Sequence, residues 1–262
     1  MAKREMQDIK PGLRVIVTAG AAGIGRAIAE TFADRSAKVF ICDVDDNALV
    51  DMATARPDIG QTNADVSDEA QVDALFDAAE ASLGGLDVLV NNAGIAGPTA
   101  PVHEIMPDEW RRTVDINLNG QFYCLRRAVP LLKQSDDASI IALSSVAGRF
   151  GFALRTPYSA TKWAIVGLTE SLAKELGPDG IRVNCLQPGA VEGLRIERVI
   201  SAKAEATGNS YEETEAELMS NVSLRRGVSA QDIAEMAAFL CTPMGANITG
   251  QALSVCAGVE TI

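Results

Sequence analysis

Leu13 to Thr18, LRVIVT, is a β-branched apolar run that passes directly into AGAAGIGRAIAETFADRSA. The run has the make-up of a buried strand. The residues after it place Ile24, Ile28, Ala29 and Phe32 at helical spacing. Between the two lie Gly20, Gly23 and Gly25. A buried strand that enters a helix through a Gly-rich turn commits the chain to β–α units, and so to a parallel sheet with crossover helices. In such a turn the glycines let backbone N–H groups approach a pyrophosphate, and the helix N-terminus faces it. The spacing is G-x-x-G-x-G rather than the commoner G-x-G-x-x-G, so the dinucleotide pattern is met loosely. A tight turn that binds nothing is the plainer alternative.

The alternation continues to the end. The strand KVFICD stops at Asp43, eighteen residues after Gly25. A carboxylate there is placed to accept hydrogen bonds from adenosine ribose hydroxyls and to repel a 2′-phosphate, and no Arg or Lys follows in DVDDNA to reverse that preference. Capping of the next helix is the alternative role for Asp43, and the two are compatible. A helix from Asn47 to Ala55 and a short strand ending in ADVSD follow, with Asp65 and Val66 at the strand's end. A helix from Asp68 to Leu83 starts on SDEA cap chemistry. The strand Leu86–Val90 opens into Asn91-Asn92-Ala93-Gly94, a polar loop suited to lie close to a ligand.

A long helix is expected from Pro107 to Lys133, then the strand SIIAL, a helix from Pro157 to Leu176, and a sixth strand, IRVNCLQ, broken at Pro188–Gly193. Residues 194–228 are charged and read as two short amphipathic helices, a candidate lid. A helix from Ala230 to Leu240 and a strand in GQALSVCAG close the chain. The pattern predicts one α/β domain over residues 1–262, a doubly wound parallel sheet of about seven strands with helices on both faces.

Composition narrows the function classes. Asp and Glu total 35 against 23 Lys and Arg, a net charge of −12. Such a surface argues against nucleic acid and anionic membranes as partners. The five cysteines show no C-x-x-C spacing and read as buried free thiols in a reducing compartment. The leading MAKREMQDIKPG lacks an apolar segment and no stretch approaches 18 apolar residues, so a cytoplasmic protein is expected. No metal is expected.

The chemistry gathers between Ser145 and Lys162, SVAGRFGFALRTPYSATK. Tyr158 and Lys162 are four apart, so a helix stacks them on one face. A free Tyr has a pKa of about 10 and is a poor base at neutral pH, but a fixed cation beside it favours the phenolate. Ser145 ends SIIALSS, and its hydroxyl is expected to meet the phenol at the strand's carboxyl edge. A Tyr over a snorkelling Lys is common in helices for packing alone. Asn117 sits inside the long helix, where Asn is unfavourable, and is expected to bond a distorted backbone, a water or a ligand.

With these residues in view the chain resembles the single-domain short-chain dehydrogenase/reductase family along essentially its whole length. Thr18-x-x-x-x-Gly23-Ile24-Gly25 is similar to the family's T-G-x-x-x-G-x-G, and Asn91-Asn92-Ala93-Gly94 to its N-N-A-G. Asn117, Ser145, Tyr158 and Lys162 fall where the family keeps a catalytic tetrad, and Pro188-Gly189 where it keeps a turn beside nicotinamide. The resemblance implies hydride transfer between a nicotinamide cofactor and a secondary alcohol or ketone. Tyr158 would be the acid/base, and Ser145 would orient the oxygen. Lys162 would tune Tyr158 and touch the ribose, and Asn117 would hold a water leading to solvent.

The cofactor would lie against Gly20, Gly23, Ile24, Gly25, Asp43, Asp65 and Val66. It would also meet Asn91, Ala93, Gly94, Tyr158, Lys162, Pro188, Gly189 and Val191. NAD is preferred over NADP because of Asp43. A homotetramer using the Pro107 and Pro157 helices is also implied.

Three positions depart from the family pattern. Ala19 replaces its first glycine, with Gly20 adjacent to supply flexibility. Gly193 replaces a Thr. Val255-Cys256-Ala257-Gly258 replaces V-D-G-G.

Arg149 and Arg155 before Tyr158, with Arg195 and Arg198 opening the lid, form a candidate anion site beside Ser145. The alternative is that they are solvated or paired with Glu192, Glu197 and Glu205. His103, the one histidine, reads as a surface or capping residue. Two competing functions stay open: an NADPH-dependent 3-oxoacyl thioester reductase, and a non-catalytic dinucleotide sensor, which would be free to lose Ser145, Tyr158 and Lys162.

Overall fold

The strands alternate their side chains between two cores, and this fixes how the helices lie. In β1 (Arg14–Thr18), Val15 and Val17 enter a cluster with Ile28 and Phe32 of α1 (Gly23–Asp34) and Ala234 and Ala237 of α9 (Ala230–Leu240). Ile16 points to the other face, among Phe76 of α3 (Glu69–Leu83), Leu125 of α5 (Gly120–Leu132) and Leu176 of α6 (Thr156–Leu176). Both faces of every central strand are therefore apolar, as an all-parallel sheet requires.

The computed structural model describes residues 8–259. The N-terminal MAKREMQ, part of the stretch read above for an apolar leader, lies outside the described residues. The remaining strands are β2 (Lys38–Asp43), β3 (Gly60–Asn63), β4 (Val88–Asn91), β5 (Ser139–Leu143), β6 (Arg182–Pro188) and β7 (Ala252–Val255). All pair in parallel, in the order β3-β2-β1-β4-β5-β6-β7. The order reverses between β1 and β4, and open α/β sheets bind ligands in the crevice at such a switch point. The expected doubly wound, seven-stranded, Rossmann-type domain is present.

One difference from the sequence expectation, in the long helix, bears on function. The helix expected from Pro107 to Lys133 is α4 (Pro107–Val114) and α5 joined by a π-helical turn, Asp115–Asn119, with Asn117 inside it. A π-turn carries an extra residue, so one carbonyl loses its helical partner. Region 194–228 forms α7 (Leu194–Thr207) and α8 (Tyr211–Ser220), which are linked by a Lys203–Glu217 ion pair of 2.9 Å. Its far end is sewn to the sheet: Glu192 N–H donates to Val228 O, Ser223 N–H to Gly258 O and Leu224 N–H to Ala257 O.

The helix α2 (Asp46–Ala55) is capped by Asp45, whose carboxylate accepts from the Asn47 and Ala48 amides, so Asp43 is not its cap. Four cysteines are buried and free, while Cys256 is only half-buried. Among the described residues no helix is long and apolar enough to cross a membrane.

Candidate active site

The Gly-rich turn is held from both sides of the switch point. Thr18 is buried at the end of β1, and its hydroxyl accepts from the main-chain amides of Asn92 and Ala93, each at 2.9 Å. The Asn92 amide donates to Thr18 O at 2.9 Å and Ala19 O at 3.1 Å. Gly25 packs against this knot so tightly that a Cβ would lie 2.0 Å from Ala19 O. Ala19 itself takes φ +50°, the left-handed region, whereas Gly20 does not. The expectation that Gly20 supplies the flexibility is therefore corrected. Gly20 is needed for space, since a Cβ there would sit 2.6 Å from the Ile41 side chain.

The N-cap of α1 is Ala22, which offers no side-chain oxygen, and the first turn carries no acid. The helix's leading N–H groups thus face the crevice without a side-chain cap, and an anion suits them. Gly23, at φ +53°, has open space around it. Asp43, at the carboxyl end of β2, accepts from the Ala21 amide at 3.1 Å and the Asp45 amide at 3.2 Å. This fixes its carboxylate beside the turn. Asp65 is occupied locally by the Ser67 amide and hydroxyl, and buried Val66 packs under Gly120. The chemistry of this donor set fits a dinucleotide.

At the next strand ends the four tetrad positions come together. Ser145 follows β5 and accepts from the Ala147 amide at 3.1 Å, which leaves its own O–H to donate. Gly148, in the short turn after it, approaches α6 so closely that a Cβ would lie 2.5 Å from Lys162 O. In α6 the buried Lys162 donates from Nζ to Leu143 O at 2.7 Å and lies 5.6 Å from the centre of the Tyr158 ring. Burial pushes the Lys162 ammonium down to about 8, although Tyr158 pulls it back up. Burial raises the Tyr158 phenol, but Lys162, Arg195, the Ser145 hydroxyl and Arg155 lower it, and its net pKa lies below the ordinary value. The pair is thus a phenol of strengthened acidity beside a weakened ammonium.

Asn117 is fully buried and its side-chain amide is engaged at both ends. Its Oδ1 accepts from Ile95 N–H at 2.7 Å, and Nδ2 donates to Ile95 O at 3.1 Å and Thr161 Oγ1 at 3.2 Å. It braces the loop after Asn91–Gly94 against α6. Of the alternatives for a mid-helix Asn, its side chain takes the backbone.

The Asn91 side chain is buried and donates to Gln121 O at 3.0 Å, so a contact of Asn91 with a cofactor would fall to its main chain. Asn92, absent from the residues singled out for the cofactor, is the one that clasps the turn. Its signal lay in the sequence as the second of two adjacent carboxamides, since neighbouring residues leaving a strand point to opposite faces.

On the far side Gly189 passes so close to the terminal strand that a Cβ would lie 2.8 Å from Cys256 Cα. Val191 bridges Val228 at the root of the α7–α8 segment. Gly193 has φ +122° and precedes α7, a conformation that a Thr would hold only under strain. His103 is exposed, 3.5 Å from Glu104. Of the four arginines, Arg149 lies over Phe150, and Arg149, Arg195 and Arg198 are exposed. Arg155 is half-buried over the Tyr158 ring, and Arg195, from the first turn of α7, also acts electrostatically on that phenol. None of the four makes an ion pair among the described residues, so the expected alternative of pairing with Glu192, Glu197 or Glu205 is not found. Among those residues there is also no cluster of three or more metal-ligating side chains.

Comparison with known proteins agrees with this geometry. A family model described as enoyl-(acyl carrier protein) reductase matches residues 19–260. The cis-4-hydroxycyclohexanecarboxylate dehydrogenase of Sinomonas cyclohexanicum is 36% identical over 251 residues, 94% of this chain and 96% of that protein. The NAD(+) 2-dehydro-3-deoxy-L-rhamnonate dehydrogenase of a Sphingomonas strain is 40% identical over 184 residues, 69% of this chain and 73% of that protein. The crystal structure of an NAD+-bound xylitol dehydrogenase superposes with a TM-score of 0.91 at 28% identity, covering 95% of this chain and 99% of that one. The chain belongs to the short-chain dehydrogenase/reductase family of oxidoreductases.

Proposed function

We propose that this protein is an NAD-dependent dehydrogenase of secondary alcohols, working reversibly on the matching ketones, with Tyr158 as general acid/base. The observation that carries the reading is the convergence on one phenol: the Arg155 guanidinium and the Lys162 ammonium lie 4.9 and 5.6 Å from the centre of the Tyr158 ring, and its pKa, raised by burial, is brought below the ordinary value by Lys162, Arg195, Ser145 and Arg155. In oxidation the Tyr158 oxygen takes the substrate hydroxyl proton. The Ser145 O–H donates to the same oxygen and stabilises the charge that develops there. Lys162, fixed by Leu143 O, holds the phenolate form.

The Asn117 side chain is fully used, so the water implied for it would rest on main-chain carbonyl freed by the π-turn. Bound nicotinamide supplies the hydride acceptor, which is the cofactor's own chemistry. Its pyrophosphate would rest on Gly20, Gly23, Ile24 and Gly25. Asp43 would take the ribose hydroxyls, and Asp65 and Val66 would border the adenine. The nicotinamide half would meet Ala93, Gly94, Tyr158 and Lys162, then Pro188, Gly189 and Val191. The α7–α8 segment would close over it. The relatives named above carry secondary hydroxyls or their ketones in their substrate names, and one is named for NAD(+).

Asp43 supports this over an NADPH-dependent reductase of 3-oxoacyl thioesters. A carboxylate pinned by Ala21 and Asp45 meets a 2′-phosphate at short range, where like charges cost of the order of kcal/mol. NADH is therefore expected to bind at least about tenfold more tightly than NADPH, a difference of about 1.4 kcal/mol, in a fluorescence titration. Asp43→Ser should narrow that gap. Equal or tighter NADPH binding would overturn the NAD assignment and favour the thioester reductase. Binding of cofactor without turnover of any alcohol would favour the sensor.

The assembly proposed is a homotetramer. Phe122 of α5 and Trp163 of α6 leave 54% and 51% of their surface exposed on neighbouring long helices, which an oligomer would cover. Sedimentation velocity should give a tetramer, and Phe122→Glu with Trp163→Glu a smaller species. A monomeric wild type would remove the proposal.

A further inference from the structure

Arg155 and Arg195 come from separate elements to one short segment beside Tyr158. Arg155 precedes α6, and its Cζ lies 4.9 Å from the centre of the Tyr158 ring. Arg195 stands in the first turn of α7. Each is tethered to a main-chain carbonyl of one short segment: Arg155 Nη2 donates to Ala96 O and Arg195 Nη1 to Gly94 O, both at 3.0 Å. Two residues of chain reach no further than about 7 Å, so the anchor points are close.

Neither guanidinium has a carboxylate partner among the described residues, although acids outnumber bases 35 to 23. Arg14, Arg35, Arg56 and Arg127 all have one. Arg155 Nε is buried with no hydrogen-bond partner. A guanidinium carries five N–H donors, so each has most of its capacity left after one carbonyl contact. Burial lowers the Arg155 pKa, Tyr158 raises it, and Arg195 lowers it further, the mark of two cations held against each other. Arg195 is exposed, but Arg155 is half-buried, and a half-buried cation without a counter-ion is costly, a cost that a bound anion would remove.

We propose that Arg155 and Arg195 form a carboxylate subsite beside Tyr158, so that the preferred substrate is a hydroxy acid whose carboxylate they hold while its secondary hydroxyl meets Tyr158 and Ser145. The inference rests on the dehydrogenase reading above. A monoanion fits better than a phosphate dianion, because Tyr158 must itself become anionic in turnover and a second negative charge beside it would oppose that.

The test compares acids with their methyl esters, which differ in charge and little else. With NAD+ as oxidant, 3-hydroxybutyrate and 4-hydroxycyclohexanecarboxylate are assayed against their esters. In at least one pair the acid should have the higher kcat/KM, by about tenfold or more, the worth of one charge-assisted contact. Arg155→Met and Arg195→Met should each cut the acid-to-ester ratio by a similar factor, chiefly through KM, and Arg155→Lys should restore part of it. The ratio cancels any change in Tyr158 acidity, since both substrates share that step.

Esters turned over as well as acids would overturn the subsite and leave the dehydrogenase standing. A preference for glycerol 3-phosphate over glycerol that exceeds every acid-to-ester ratio would overturn the choice of carboxylate. Binding is read separately, by thermal melting of the protein with NADH and either cyclohexanecarboxylate or cyclohexanecarboxamide. Stabilisation by the carboxylate alone, lost in Arg155→Met, would support the subsite even if no alcohol were oxidised. Equal effects of the two compounds would overturn it.

Discussion

Tyr158→Phe is expected to lower kcat for alcohol oxidation by about 10²–10⁴-fold, the usual worth of a positioned acid/base group. The Kd for NADH should change little. Phenylalanine keeps the ring under Arg155 and beside Lys162, so packing survives and only the exchangeable proton goes.

The pH profile gives the same prediction a second form. Oxidation needs the phenolate, so kcat/KM should rise with pH and level off below the free phenol's value of about 10, because the Tyr158 pKa is lowered. Ketone reduction needs the phenol and should fall over the same range. Lys162, at about 8, titrates nearby, so the observed steps belong to the pair rather than to either residue. Residual activity of the variant should lack this rise. Wild-type turnover in Tyr158→Phe, with cofactor bound, would sink the assignment.

Gly25→Ala should do comparable damage by a different route. Its Cβ would stand 2.0 Å from Ala19 O and 2.6 Å from Asn92 Nδ2. Neither atom is a free side-chain end: the first is backbone and the second is bonded to it and to Thr18 O. The turn must open to admit one methyl, with an overpacking cost of about 1–3 kcal/mol and a lower Tm. Because the same turn would cradle the pyrophosphate, NADH affinity should fall at least about tenfold, or about 1.4 kcal/mol. Gly23→Ala meets no atom within 4 Å and is strained only through its φ of +53°, so its effect should be smaller. Calorimetry and NADH titration of both variants check the contrast. A Gly25→Ala protein that melts and binds like wild type would show that the turn is not rigid.

Local order carried most of the fold. Strands such as LRVIVT and SIIAL and the caps on α3 and α9 are properties of neighbouring residues, and they lie close to where periodicity put them. The candidate site could be proposed from the sequence because three of its members sit on two adjoining segments, Ser145 to Lys162. What escaped was non-local. The Arg155–Ala96 and Arg195–Gly94 contacts span 59 and 101 residues, and nothing in either neighbourhood marks them. The Asn92 clasp on Thr18 and Ala19 spans more than 70. The π-turn at Asn117 has no propensity signature, and the bond its side chain makes to Ile95 spans 22 residues. Nor does the sequence mark that Ala19 rather than Gly20 bends backward, or that Gly20 must leave room for the Ile41 side chain.

Ala19 and Ala257 both hold the left-handed backbone at φ +50° and +54°, where the family pattern places glycine. Each costs an L-residue of the order of 1–2 kcal/mol. Ala19 is bound by the Asn92 clasp, and Ala257 accepts from Leu224 where the α7–α8 segment returns to the sheet. Two positions held under strain that glycine would relieve leave the fold short of its stability optimum. The strain is unused stability: a glycine at either position would recover it, and the recovered stability could then offset destabilising changes around the substrate pocket.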